Sequence, residues 1–126
     1  MSATIKLKKF ERYLQSIDSF EKPKILLEQY VTPSHIASHF LFTIQNNYDD
    51  IRGKVVADLG AGTGMLSIGS AILAAALCVG FEIDEEALTI AKNNADEMEV
   101  ATVDFLQCDV LNDLSSKNCR FHKAFD

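Results

Sequence analysis

A chain of 126 residues, 48% hydrophobic and 24% charged, has the size and apolar content of one packed domain or part of one, not of a disordered segment. No uninterrupted apolar run reaches the roughly 18 residues of a membrane span, and Lys6, Lys8 and Lys9 are not followed by an apolar secretory core. Twelve Lys and Arg against 18 Asp and Glu give a net charge of −6, which argues against this chain holding nucleic acid through charge alone.

Leu7, Phe10, Leu14 and Ile17 recur at helical spacing across residues 4–17, with lysines opposite, which read as a solvated helix face. Pro23 suits the first turn of a short helix over residues 24–30. Thr32 and Pro33 read as the N-cap and first residue of a further helix, with Ile36, Ala37, Phe40, Leu41 and Ile44 along one face. Asp49-Asp50 and Gly53-Lys54 are turn residues leading into an apolar strand, Val55–Leu59, which runs through glycines into a helix. A second apolar run, Leu77–Phe81, stops at Glu82. The acids Asp84, Glu85 and Glu86 then open a helix at its positive end, and Ala87, Leu88, Ala91, Ala95 and Met98 form its buried face. A third strand, Val103–Gln107, runs into Cys108-Asp109-Val110. The outline is a helical addition over residues 1–50 and a βαβαβ core over 54–110, an α/β chain.

Three cysteines, Cys78, Cys108 and Cys119, are odd in number and lack C-x-x-C spacing, so they read as reduced thiols of an intracellular protein. His35 and His39 stand four apart on a predicted helix, a spacing able to bind zinc. Neither an H-E-x-x-H pattern nor a third ligand is in view, so a structural or surface role is expected and no metal. The serines lack a nucleophile-elbow context and no G-K-[ST] follows the glycines, which sets aside acyl hydrolases and P-loop enzymes.

The chemistry is concentrated in Val55-Val56-Ala57-Asp58-Leu59-Gly60-Ala61-Gly62-Thr63-Gly64-Met65. A buried strand ends at an acid, turns through three glycines into a helix, and a second strand ends at another acid, Glu82, about twenty residues on. That is the layout of a nucleotide-type cofactor site. A dinucleotide fingerprint would place a small residue at position 65, where this chain has Met65, and the third glycine comes one residue early, at Gly64. The spacing D-x-G-x-G-x-G resembles motif I of class I S-adenosylmethionine-dependent methyltransferases. In that resemblance the glycines let the backbone approach the methionine and ribose closely. Asp58 lies near the α-ammonium, often through a water, and Glu82 accepts hydrogen bonds from both ribose hydroxyls. Asp109 would meet the adenine amine, with the Val110 backbone at the ring; the alternative is an Asp capping the turn at Asn112-Asp113.

A longer resemblance narrows the family. Phe20-Glu21-Lys22-Pro23-Lys24-Ile25-Leu26-Leu27-Glu28-Gln29-Tyr30-Val31-Thr32, Tyr48-Asp49-Asp50-Ile51, the strand from Lys54 to Gly60, and Val79-Gly80-Phe81-Glu82-Ile83-Asp84-Glu85 together closely resemble the methyltransferase-like-five family. That family comprises N6-adenosine methyltransferases of small-subunit (18S-type) ribosomal RNA. The resemblance implies a Rossmann-like methyltransferase fold and a cofactor site formed by Gln29, Thr32, Asp58, Gly60, Gly62, Thr63, Gly64, Met65, Glu82, Asp109 and Val110. It also implies a small zinc-binding activator protein docked along Val103–Gln107, and a place in the nucleus, nucleolus and cytoplasm.

The Asn/Asp-Pro-Pro-Phe/Tyr motif that orients the target amine in adenine-N6 methyltransferases is missing, because the only prolines are Pro23 and Pro33. The expectation is therefore the N-terminal, cofactor-binding portion of a methyltransferase domain, cut after the third strand. No catalytic residue falls within it, and Val55–Leu59 becomes an exposed sheet edge. A non-catalytic binding form, a methyltransferase acting on protein or a small molecule, and a nicotinamide oxidoreductase are the rival readings.

Overall fold

The computed structural model describes residues 5–17 and 32–112. In chain order they form helices α1 (Leu7–Gln15) and α2 (Ser34–Thr43), a π-helical turn (Ile44–Tyr48), strand β1 (Val55–Leu59), helix α3 (Met65–Ile72), strand β2 (Leu77–Glu82), helix α4 (Glu85–Glu97) and strand β3 (Val103–Gln107). The three strands make one parallel sheet in the order β1-β2-β3, so each crossover is helical, as parallel pairing requires. β1 and β3 are its two edges among the described residues. No helix among those residues is long and apolar enough to cross a membrane.

The buried positions follow from the apolar periodicity. Phe10, Leu14 and Ile17 of the first helical stripe are buried, and with Ala37 and Leu41 of α2 they pack over α3. Each such fully buried Phe or Leu contributes about 1.5–3 kcal/mol. The close approach depends on Gly69, where an added Cβ would sit 2.5 Å from Leu41 Cδ1. α4 buries Ala87, Leu88, Ala91 and Ala95 against β2 and β3, with Met98 half-buried at its end. The Asp84 side chain caps it, accepting from the Ala87 amide at 3.3 Å.

Two expectations for α2 need correction. Pro33, not Thr32, occupies the N-cap: its φ and ψ of −57° and 141° are extended, its carbonyl accepts from the Ala37 amide, and no side chain caps the helix. The expected apolar face is also split. Ala37 and Leu41 are buried, whereas Ile36 and Phe40 are 57% and 54% exposed and Ser38 is buried in their place. The proposed helix over 24–30 lies outside the described residues. At the sheet edge β1 leaves Val55 and Leu59 57% and 56% exposed, as expected of a strand paired on one side.

Candidate cofactor site

Parallel pairing brings the carboxyl ends of all three strands to one side. Leu59 lies opposite Phe81, Phe81 opposite Leu106, and Glu82 opposite Gln107. Ligands of open parallel sheets bind at this end. The loop from β1 to α3 folds over it with Gly60, Gly62 and Gly64 at φ of 78°, 58° and 93°. Three left-handed residues in five are accessible at low cost only to glycine. The amides of Gly60 and Ala61 both donate to the Phe81 carbonyl, at 2.8 and 2.9 Å, and fix the loop across the end of β2.

The glycines divide the work. A Cβ on Gly60 would meet nothing within 4 Å, so that stretch of backbone faces open space. A Cβ on Gly64 would lie 3.1 Å from the Phe105 ring and 3.2 Å from Ile68, so this glycine serves the packing of α3 on the sheet. Between them the Gly62 amide donates to Glu82 Oε1 at 2.8 Å. The other carboxylate oxygen of Glu82, Oε2, accepts from the Asp84 amide at 2.9 Å. Glu82 is only 7% exposed, and two amides hold its carboxylate at the strand end, where each oxygen keeps a further lone pair.

Asp58 Oδ2 accepts a 2.6 Å hydrogen bond from Ser67 Oγ in α3. Burial pushes this carboxyl above its ordinary value and the nearby Glu82 charge adds to the rise, against hydrogen bonding from Ser67. Beneath it, burial raises the Cys78 thiol to about 11, which makes it inert at neutral pH. Asp58 also borders an apolar cleft between β1, α2 and α3, lined by Phe40, Ile44, Ile51, Val56 and Leu66.

The other expected site residues fall into three groups. Thr63 is buried within the loop, where its carbonyl accepts from Asn94 Nδ2 of α4 at 2.9 Å. Met65 is half-buried against the core at the start of α3. Asp109 and Val110 follow β3 at the same sheet end, and Asp109 caps its own turn through the Leu111 amide at 3.1 Å and Asn112 Nδ2 at 2.6 Å. Thr32 is half-buried before α2, and Gln29 lies outside the described residues. Sequence reasoning missed Ser67 and Asn94. Ser67 had a signal, since it stands one turn into the helix that the glycines open. Asn94 had none.

Residues 32–121 match the family model described as ribosomal protein L11 methyltransferase (PrmA). Over 122 residues the chain is 55% identical to rRNA N(6)-adenosine-methyltransferase METTL5 of Danio rerio, covering 97% of this chain and 57% of that protein. Ribosomal protein L11 methyltransferase of Aliivibrio salmonicida is 46% identical, but over 52 residues, 41% of this chain and 18% of that one. Among solved structures, the candidate RNA methyltransferase PH1948 of Pyrococcus horikoshii superposes with a TM-score of 0.78 at 37% identity, over 87% of this chain and 53% of that one. An RNA methyltransferase of Salinibacter ruber, solved with S-adenosyl-L-homocysteine, gives 0.58 at 34% identity, over 68% and 55% of the two chains. The chain thus spans little more than half the length of the Danio rerio protein and of these two solved structures. The named relative matches at 55% identity along 97% of the chain, against 46% over 52 residues for the Aliivibrio L11 enzyme, and the chain belongs to the methyltransferase-like-five methyltransferases.

Proposed function

We propose that this chain is the cofactor-binding portion of an S-adenosylmethionine-dependent rRNA N6-adenosine methyltransferase acting on small-subunit rRNA. The observation that carries the reading is the 55% identity along 97% of the chain to a protein of that name. The site's own geometry supports the cofactor. An open-faced glycine backbone at Gly60 and a strand-end carboxylate at Glu82, held by two amides, suit a ribose and a methionine tail with no pyrophosphate to cradle.

When bound, the cofactor supplies an electrophilic methyl group on a sulfonium. The chain's residues bind and orient it. Glu82 accepts from the ribose hydroxyls, Asp58 faces the α-ammonium, and the backbone of Gly60, Gly62, Thr63, Gly64 and Met65 lines the approach. Asp109 and Val110 would hold the adenine, and Gln29 and Thr32 would complete the set of cofactor contacts. No Asn-Pro-Pro or Asp-Pro-Pro stands within residues 1–126, so these residues by themselves have nothing to orient a target amine and are inactive in methyl transfer. A small zinc-binding activator protein docks on the β3 edge, and the protein works in the nucleus, nucleolus and cytoplasm. The protein-directed alternative is disfavoured because the 55% identity to the rRNA enzyme runs along 97% of the chain, against 41% of it for the L11 enzyme of Aliivibrio salmonicida.

Tritium transfer from labelled S-adenosylmethionine to small-subunit rRNA tests this reading, using full-length protein with activator beside the 126-residue chain. The full-length pair is expected to label the rRNA and the chain alone to stay at background. Labelling of ribosomal protein in place of RNA by the pair overturns the RNA assignment, and turnover by the chain alone overturns its inactivity.

A further inference from the structure

His35 and His39 occupy adjacent turns of α2, and their ring centroids lie 4.2 Å apart with the rings tilted by 46°. The structure adds what the sequence did not show, a carboxylate from another helix. Glu11 Oε1 of α1 lies 3.4 Å from His35 Nδ1. One donor atom from each of Glu11, His35 and His39 falls within 4.8 Å of the other two.

The 3.4 Å separation is long for a charged hydrogen bond, whose distances run about 2.7–2.9 Å. It matches the spacing of two ligand atoms on a tetrahedral ion, about 3.3–3.4 Å for bonds of 2.0–2.1 Å. The wider gaps in the triad fall within the reach of surface rotamers, since the Glu11 and His35 side chains are 24% and 67% exposed. We propose that Glu11, His35 and His39 form a site for a zinc-class transition metal that clamps α1 to α2. Two imidazole nitrogens with one carboxylate oxygen favour zinc, nickel or copper over magnesium or calcium, which take oxygen ligands. Three protein ligands leave the fourth position to water. A bound ion would join α1 to α2 through residues 24 positions apart in the sequence.

The test is equilibrium dialysis and thermal unfolding of the 126-residue chain with zinc at about 100 μM, in a Cys108→Ser, Cys119→Ser background that removes competing thiols. One equivalent of zinc and a rise in Tm of about 3–6 °C are expected. His39→Ala, His39→Gln and Glu11→Gln should each lose at least half of that rise while keeping the metal-free Tm. Cobalt substitution supplies a second readout, visible d–d bands without a near-ultraviolet thiolate band. No zinc retained by the Cys108→Ser, Cys119→Ser chain, or an equal rise in the His39 variants, overturns the proposal.

Discussion

The Gly62 amide and Glu82 Oε1, twenty residues apart in the chain, are joined by a 2.8 Å hydrogen bond that ties the glycine loop to the end of the neighbouring strand. The carboxylate thus braces the loop, and under the proposed function it also accepts from the cofactor's ribose. Glu82→Ala removes both roles and is expected to weaken S-adenosylmethionine binding by about 2–3 kcal/mol, the loss of charged hydrogen bonds. Glu82→Gln should lose less. Its oxygen can still receive the Gly62 amide, while its NH2 would face the Asp84 amide donor against donor. Calorimetry on a full-length homologue measures both, and unchanged affinity in Glu82→Ala would remove the residue from the site.

Asp58 gives a prediction with a sign. Its folded pKa lies above the ordinary 3.8, chiefly through burial. Between 3.8 and the folded value the native state holds more protons than the unfolded chain, so stability falls as pH rises through that window and the deficit persists at neutral pH. Asp58→Asn leaves an oxygen to accept from Ser67 and removes the disfavoured charge. Its Tm at pH 7 should exceed the wild type's by about 2–5 °C, with the difference closing as the pH drops towards 4. Under the proposed function, in which Asp58 faces the α-ammonium, cofactor affinity should move the other way, about tenfold weaker. Unfolding curves at several pH values check the first claim; a variant less stable throughout would mean that the Ser67 hydrogen bond outweighs desolvation.

Gly80 sits mid-strand in β2 where the sheet meets both the loop and β3. A Cβ there would lie 2.7 Å from Phe105 Cδ1 and 2.9 Å from Ala61 Cβ. Neither neighbour can swing away, because Phe105 is buried in the core and Ala61 is held by its amide on Phe81. Gly80→Ala should cost about 1–3 kcal/mol of stability by overpacking. The displaced Ala61 should also reduce cofactor binding, a loss visible at temperatures where the variant is still folded. Denaturant unfolding reads the first effect, and an unchanged midpoint would show that β3 can shift outward freely.

The strands and the acids at their ends were readable because β1, β2 and β3 are short apolar runs bounded by glycines and carboxylates. Their type and limits agree with the structure to within a residue. The start of α2 was off by one, since Thr-Pro before a helix leaves open which residue caps it, and the extended Pro33 settles that only in three dimensions. The periodicity of Ile36 and Phe40 shows an apolar stripe but not what covers it, and both are exposed among the described residues. Ser67 and Asn94 look like ordinary polar helix positions. Their link to Asp58 and Thr63 exists only once α3 and α4 are laid on the sheet. Glu11 is likewise 24 residues from His35, a pairing that the packing of α1 on α2 creates.

The β3 edge should carry the activator protein by strand addition. Phe105 is the wrong place to test this, because its ring is 8% exposed and packed against Gly64 and Gly80, so a change there damages the core. The ladder identifies better positions. The Cys108 amide donates inward to the Glu82 carbonyl, and in a parallel pair alternate residues point the same way. The amides of Leu106 and Asp104 therefore also turn towards β2, while those of Val103, Phe105 and Gln107 turn outward, where an added strand would bond. Gln107 is exposed, and its side-chain amide donates to the Ile83 carbonyl at 3.2 Å. Gln107→Pro deletes an outward donor at the strand end and leaves the inward ladder intact. It should abolish co-purification of full-length protein with the activator while lowering Tm by no more than a few degrees. Leu106→Lys, which adds charge to a half-apolar edge without touching the backbone donors, should weaken the complex about tenfold and provides a check independent of proline strain. Co-purification unaffected by both changes, in folded protein, would place the partner on another surface.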